Sequence, residues 1–360
     1  MWKTLKKQEI IDAIDGKNNP SKLPISFTPW FNPFVFGPWG FVRSIYARLK
    51  YPDDIAMCGW HDFTWHINHM NPDNGSTLRI AITQTLGLKI PPLKTRIKLK
   101  KEGKTTTAFD NDIIIKDMEQ VDDYIKKIPS PKKALLLFPG PGIRYKLSWC
   151  FSTLFECHWA FRGMENALMD FYLYPEETKR LYAAMTEYHK GIILRCKKEL
   201  HCNGVFFTDD LGTQTGPFMS PEIFREFFFP YYKELCDYTH SLGMHFFLHS
   251  CGNIEILMPQ LIEAGVDVIH PIQKFAMDQE EVFNKYHDQV AFFYGLDLQQ
   301  IIPNGTSDEV EAEIKQKVDT FSKAKGRLLF TFGNALTPDC PIDNFVRVLK
   351  VARTYNPYKK

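Results

Sequence analysis

His245-Phe246-Phe247-Leu248 runs directly into His249-Ser250-Cys251-Gly252-Asn253. A short run of bulky, mostly apolar residues cut off by turn formers is the pattern of a strand buried on both faces. The same pattern recurs on either side. Val205-Phe206-Phe207 runs into Thr208-Asp209-Asp210, Val266–Ile269 into His270-Pro271, and Val290–Tyr294 into Gly295-Leu296-Asp297. Leu328–Phe332 runs into Gly333-Asn334, and Ala134–Phe138 into Pro139-Gly140-Pro141-Gly142. Ile25–Trp30 supplies a candidate early strand.

Helix signals fill the intervals. Pro175-Glu176-Glu177 opens a long helix, with proline at a position that needs no N–H and acids favoured by the dipole. Ser220-Pro221-Glu222 opens another that ends near Gly243, and Asn253–Ala264 forms a third, stopped by Gly265. Thr306 and Glu309 have capping-box spacing, and Pro341 starts a last helix through Val351. Six strand-helix alternations without a hairpin signal predict a parallel sheet. The number and length of the helices fit an α/β fold of the (β/α)8 TIM-barrel type better than a doubly wound sheet. The chain has neither a GxGxxG after a strand nor a GxxxxGK[ST], so the phosphate cradles of nucleotide-binding sheets are missing.

Composition narrows the function classes. The 360 residues are 44% hydrophobic and 24% charged, and 44 basic against 42 acidic residues leave a net charge of +2. A near-neutral balance carries no footprint for nucleic acid. The basic stretch Lys94–Lys104 reads as an exposed hairpin. Leu5, Ile10, Ile11 and Ile14 fall at helical spacing, so Met1–Ile14 reads as an amphipathic helix and not a signal peptide. No stretch approaches the roughly 18 apolar residues that span a bilayer, and a cytoplasmic protein is expected. The eight cysteines contain no CxxC pair and do not read as a disulfide framework. One domain is expected over residues 1–360, with an elaboration of about 1–130 over the barrel mouth. Trp39, Trp60, Trp65, His61, His66 and His69 fall in that elaboration.

In parallel barrels chemistry sits at the C-terminal ends of the strands. The residues that follow the apolar runs are Asp209, Asp210, His249, Cys251, His270, Gln273, Asp297 and Asn334. His249 and Cys251 are two apart at a strand end and point to one side, so an imidazole nitrogen and a thiolate converge. Zinc takes such N and S ligands and needs a third. Cys340, Asp209, Asp210 and His270 are the candidates, and a packed, hydrogen-bonded pair without metal is the plain alternative. Asp209 and Asp210 cannot both face the cavity. One is expected to cap the next segment and the other to act as base, ligand or substrate anchor. Tyr51-Pro52-Asp53-Asp54 reads as a turn and helix start, and Glu226–Tyr232 as core packing. Asp62 lies in the aromatic segment Trp60–Trp65, where burial raises a carboxyl pKa and makes it a candidate acid or base.

Phe161-Arg162-Gly163-Met164-Glu165-Asn166, Asp170 and Tyr174-Pro175-Glu176-Glu177 resemble a signature of the uroporphyrinogen decarboxylase superfamily. Asp209–Gln214 with Met219–Glu222, then His249–Asn253 with Ile262–Asp267 and Pro271–Gln273, and finally Gly295–Asp297 and Pro341–Asn344 are similar to its later blocks, in order. The resemblance covers roughly residues 130–350 and implies a TIM barrel. True decarboxylases grip their octa-acid substrate with an N-terminal Met-Arg-Gln-Ala-Gly-Arg segment. Here that region reads Thr28-Pro29-Trp30-Phe31-Asn32-Pro33, with no arginine before Arg43. A polyacid needs several cations, so that substrate is disfavoured. The decarboxylases' Gly-His near the last strand is Gly333-Asn334 here, and Asp62 falls one residue from their catalytic aspartate.

The superfamily's other branch comprises zinc-dependent methyltransferases that exchange methyl groups with corrinoid proteins, and its HxC element is matched by His249 and Cys251. That branch's third ligand is a cysteine whose position by spacing is Asn334, with Cys340 six residues later. The resemblance therefore implies a methyltransferase acting between a methoxy compound, amine or thiol and methylcobalamin on a partner corrinoid protein. Zinc would sit on His249, Cys251 and Cys340. Asp210 and Asp62 are the expected catalytic groups, and Trp30, Asp209, Gln273, Asp297 and Asn334 the substrate contacts. A metal-free decarboxylase of a small acid, or a barrel that only binds its ligand, are the alternatives. A homodimer is the expected assembly if the chain self-associates.

Overall fold

The computed structural model describes residues 2–59, 113, 115–126, 128, 130–131, 144–150, 152–323 and 326–359. Asp62, Trp60, Trp65, His61, His66, His69, the Lys94–Lys104 stretch and the Ala134–Phe138 run lie outside the described residues.

Among the described residues, seven strands form one parallel sheet in sequence order: β1 Ile55–Gly59, β2 Tyr145–Cys150, β3 Gly204–Thr208, β4 His245–His249, β5 Val268–His270, β6 Ala291–Leu296 and β7 Leu328–Phe332. The five expected runs from Val205 onward each produced a strand, with ends shifted by a residue or two. β5 begins only at Val268 because the Asp267 carboxylate is turned back to accept the Phe246 N–H at 2.7 Å. β1 and β2 were not anticipated. Tyr51–Asp54 leads into β1 and does not start a helix.

The sheet is curled. Tyr145 on β2 touches both His245 and Phe247 on β4, and Phe206 on β3 touches Phe293 on β6. Strands that are not neighbours meet only if the sheet bends round an interior. The row His245, Phe247, His249 faces that interior, since Phe247 also packs on Phe206 and Phe293.

The expected early strand is reduced to one bridge, Ile25 to Phe330, followed by a 3-10 turn Thr28–Trp30 with Pro29 inside it. Proline lacks the N–H that a continuing ladder requires. Hydrogen bonds from Ser26 N to Phe330 O (3.0 Å) and from Asp54 N to Ile25 O (2.9 Å) set this segment between β7 and the start of β1. Side chains reinforce the seam. Asp54, fully buried, accepts the N–H groups of Leu5 and Ile25 and pairs with buried Arg353 at 3.0 Å. Asp53 accepts from Phe27 N, Thr28 N and the Thr28 hydroxyl, and pairs with Arg48 at 2.6 Å.

Helices occupy the connections. Pro175–Leu200 is the long one, and Ser220 and Thr306 cap theirs as expected. The helix expected from Ser220 to near Gly243 is broken into Pro221–Phe227 and Phe229–Ser241, with Pro230 in the first turn of the second. Asn253–Ala264 is helical only from Met258 in α form, because Asn253 is spent on a bridge to Thr213 and on capping Glu255 N. Of the amphipathic helix expected over Met1–Ile14, Lys7–Ile14 is helical and Trp2–Lys6 is not. Among the described residues no helix is long and apolar enough to cross a membrane.

Candidate metal centre

Beyond β4 the chain turns sharply. Gly252 at φ 82° lies so close to Gly212 that a Cβ there would come within 2.3 Å of the Gly212 carbonyl carbon. Only glycine fits both demands, a left-handed backbone and a backbone neighbour at that distance. The contact brings the loop after β3 onto the loop after β4. The Cys251 N–H donates to Asp210 Oδ1 at 2.8 Å, and the Leu211 N–H donates to Ser250 Oγ at 2.9 Å.

Three ligand-type atoms converge there. His249 Nε2 is 3.4 Å from Cys251 Sγ and 3.4 Å from Asp210 Oδ1. Ligand atoms of Asp210, His249 and Cys251 all lie within 4.8 Å of one another. A nitrogen, a sulfur and a carboxylate oxygen at these separations match the donor chemistry of zinc with one position left open.

The electrostatics favour an added cation. Burial lowers the His249 pKa, with the Asp210 charge opposing, so the ring is neutral and carries a lone pair. Burial, assisted by the charges of Asp210 and Glu156, holds the Cys251 thiol well above its ordinary range. A thiol kept protonated by burial and negative neighbours is the kind of group that a bound metal ion deprotonates. Glu156 itself is pushed well up by burial and by the charges of Asp210 and Asp209, and it accepts a hydrogen bond from Thr208 Oγ1 at 2.7 Å. Sequence reasoning missed Glu156 because it follows β2, whose Lys146 and Ser148 hide the apolar-run signal.

The other expected site residues divide. Cys340 is not in the cluster. It is buried, its thiol lies 3.8 Å from the adjoining Pro341 carbonyl oxygen, and burial with the Asp339 charge pushes it up to about 12. Asp210, which the turn after β3 delivers, is the third member of the cluster. Asn334, at the family's third-ligand position, does arrive: its Nδ2 lies 3.6 Å from Cys251 Sγ. Gln273 accepts the Gly252 N–H at 2.6 Å and lines, with Gln214, Lys274, Asp297, Asn334 and Cys251, a cavity of about 190 Å³. Asp297 also accepts from Gln299 N and Ile301 N.

Asp209 is a capping residue. Fully buried, it accepts the N–H groups of Leu154, Phe155 and Glu156 at the start of helix Phe155–Arg162 and the Tyr232 hydroxyl at 2.7 Å. Asp209→Asn turns an amide N–H₂ toward those donors. It is expected to cost about 1–3 kcal/mol of stability in a denaturant melt, with metal content unchanged. Trp30, an expected substrate contact, falls in the elaboration expected over the mouth. It lies inside instead, 5% exposed, stacked at 14° on His270 and touching His249 and Trp149. Its indole N–H has no partner among the described residues. Trp39 is 85% exposed on helix Gly37–Lys50.

A curled parallel sheet with a three-donor cluster and a cavity at the C-terminal ends of its strands defines a barrel-type site of the enzyme kind. The chain belongs to the uroporphyrinogen decarboxylase (URO-D) family, whose model matches residues 157–355. That span includes every member of the cluster. No curated protein is significantly similar to the chain in sequence. Among solved structures, a methyltransferase from Methanosarcina mazei is similar over 98% of both chains, at 14% identity and TM-score 0.55. A D-psicose 3-epimerase crystallised with D-fructose is similar over 92% of this chain and 96% of its own, at 7% identity and TM-score 0.40. An IOLI protein with a bound zinc atom is similar over 84% and 98%, at 11% identity and TM-score 0.37. At 14% identity the likeness to the Methanosarcina mazei protein is one of fold.

Proposed function

We propose that this chain is a zinc-dependent methyltransferase of the URO-D family, with Asp210, His249 and Cys251 as its metal ligands. The observation that carries the reading is the convergence of their three donor atoms within 4.8 Å at the ends of β3 and β4. The same reading completes a (β/α)8 barrel over residues 1–360, in which the segment at Ile25 serves as the remaining stave between β7 and β1. The methyltransferase fold of the Methanosarcina mazei protein and the HxC resemblance support it.

A bound zinc ion supplies a Lewis acid that lowers the pKa of an acceptor thiol or polarises the ether or amine of a methyl donor. The chain's own residues do the rest. Cys251 and Asp210 bring negative charge to the ion, and Asn334 donates to the Cys251 sulfur. Glu156, its carboxyl pushed well up by burial and by the charges of Asp210 and Asp209, is a further acid at this edge. Gln214, Gln273 and Asn334 offer amide hydrogen bonds to a small polar substrate in the adjoining cavity. The second partner is a corrinoid protein presenting methylcobalamin, whose cobalt chemistry is the cofactor's own.

The test is metal content by plasma mass spectrometry, wild type beside Cys251→Ser. The expected result is about one zinc per chain in the wild type and none above background in the variant. A wild type that carries no zinc after growth in zinc-supplemented medium would overturn the reading.

A further inference from the structure

We propose that His270, which is not a ligand in this scheme, is a positioning residue that fixes the tautomer of His249 through a relay anchored on the main chain of β7. The proposal rests on the metal reading for its purpose, but the relay is a property of the metal-free chain.

The argument starts at the far end. His270 Nε2 lies 2.9 Å from the carbonyl oxygen of Phe332, the last residue of β7. A carbonyl only accepts, so this nitrogen carries the proton. The His270 ring is fully buried, stacked on Trp30 and edged by the rings of Phe206 and Phe293 at 5.5 Å. An apolar enclosure of that kind favours the neutral imidazole, which leaves a lone pair on Nδ1. That atom is 2.7 Å from His249 Nδ1. Two lone pairs cannot face one another at this distance, so His249 Nδ1 holds a proton and donates it. The lone pair of His249 is thereby placed on Nε2, the nitrogen that faces Cys251 Sγ and Asp210 Oδ1 at 3.4 Å.

Without the relay, His249 is free to protonate Nε2 and donate to Asp210, which would close the site to a cation. A histidine ligand whose other nitrogen is held by a hydrogen-bond partner binds metal more tightly, typically by about 10–100-fold. β4, β5 and β7 thus meet in one chain of hydrogen bonds, which the separation of 62 residues between His270 and Phe332 conceals in the sequence.

The test uses metal-free full-length protein labelled with 15N-histidine, and reads tautomers from long-range 1H–15N correlations. The expected wild-type result is Nδ1–H on His249 and Nε2–H on His270. His270→Phe keeps an aromatic ring on Trp30 but removes the acceptor. It is expected to move the His249 proton to Nε2 and to weaken zinc, measured by chelator competition, about 10–100-fold. His270→Asn, which returns an acceptor oxygen near the Nδ1 position, is expected to recover part of both. An Nε2–H tautomer on His249 in the wild type overturns the proposal whether or not zinc binds. An unchanged tautomer and affinity in a folded His270→Phe overturns it too, leaving His270 as packing. Should the wild type take up no zinc while showing the expected tautomers, the metal reading fails and the relay stands.

Discussion

Asp210→Asn is expected to weaken zinc binding by about two to three orders of magnitude, while Cys340→Ser leaves it unchanged. Asparagine keeps the size of the side chain and an oxygen that accepts the Cys251 N–H, now made by Asp210 Oδ1 at 2.8 Å. What it removes is a negative charge. Two unit charges about 4 Å apart interact by about 4 kcal/mol at an effective dielectric constant near 20. A divalent ion at bonding distance gains more than this, and the carboxylate's own desolvation offsets part of the gain. Chelator competition on the two variants measures the outcome. Loss of binding in Cys340→Ser with retention in Asp210→Asn would reverse the assignment, and Asp210 would then serve only to hold the Cys251 backbone.

Asp170→Ala is expected to destabilise the fold by about 3–5 kcal/mol, the usual result of stranding one member of a buried ion pair. Arg162 Nε lies 2.6 Å from Asp170 Oδ2, and its Nη2 lies 2.8 Å from Oδ1, a two-pronged contact. His158 Nε2 approaches the same carboxylate at 3.0 Å, and His158 Nδ1 contacts the Tyr182 hydroxyl. Arg162 also donates to the carbonyls of Ile115 and Lys116. Once the carboxylate is gone, a guanidinium that is 5% exposed keeps, among the described residues, those two carbonyls.

A pH dependence follows from the same group. Burial pushes the Asp170 carboxyl up, but hydrogen bonds from His158 and Arg162 and their charges outweigh it and hold the pKa below its ordinary value. A lowered folded-state pKa means that the unfolded chain binds the proton more readily. The stabilisation is therefore present above an unfolded pKa of about 4 and is lost as the pH falls through the lower folded value. Urea melts at pH 7 and in the acid range measure both effects. The acid-side loss of stability should be shallower in the variant, and a variant as stable as wild type at pH 7 would rule the ion pair out as a structural element. Arg162 and Asp170, read in the sequence as family markers, are on this account a structural tie.

Much of the site was legible in residue order because strand ends carry the chemistry of a parallel barrel, and apolar runs followed by turns mark strand ends. β3 to β7 and the place of His249, Cys251, Asp209 and Asp210 at strand ends all follow from that rule, applied without any knowledge of distances. β1 and β2 escaped it. Ile55–Gly59 follows two acids that resemble a helix start, and Tyr145–Cys150 alternates in polarity; with β2 went Glu156. The order of residues left Cys340, Asp209, Asp210 and His270 all open as a third partner for His249 and Cys251, and the one that converges with them, Asp210, sits 41 residues before Cys251.

Sequence alone thus determined the α/β class of the fold, the edge of the sheet where the polar groups gather and two of the three residues that converge there, because those are consequences of local polarity and period. Only the tertiary structure decided which carboxylate joins them, that Trp30 packs inside the curl of the sheet, and that His270 stands behind His249. Each of these depends on which loops and strands lie side by side. That is set by the curl of the sheet and by the contact of Gly212 with Gly252, and no spacing along the chain records it.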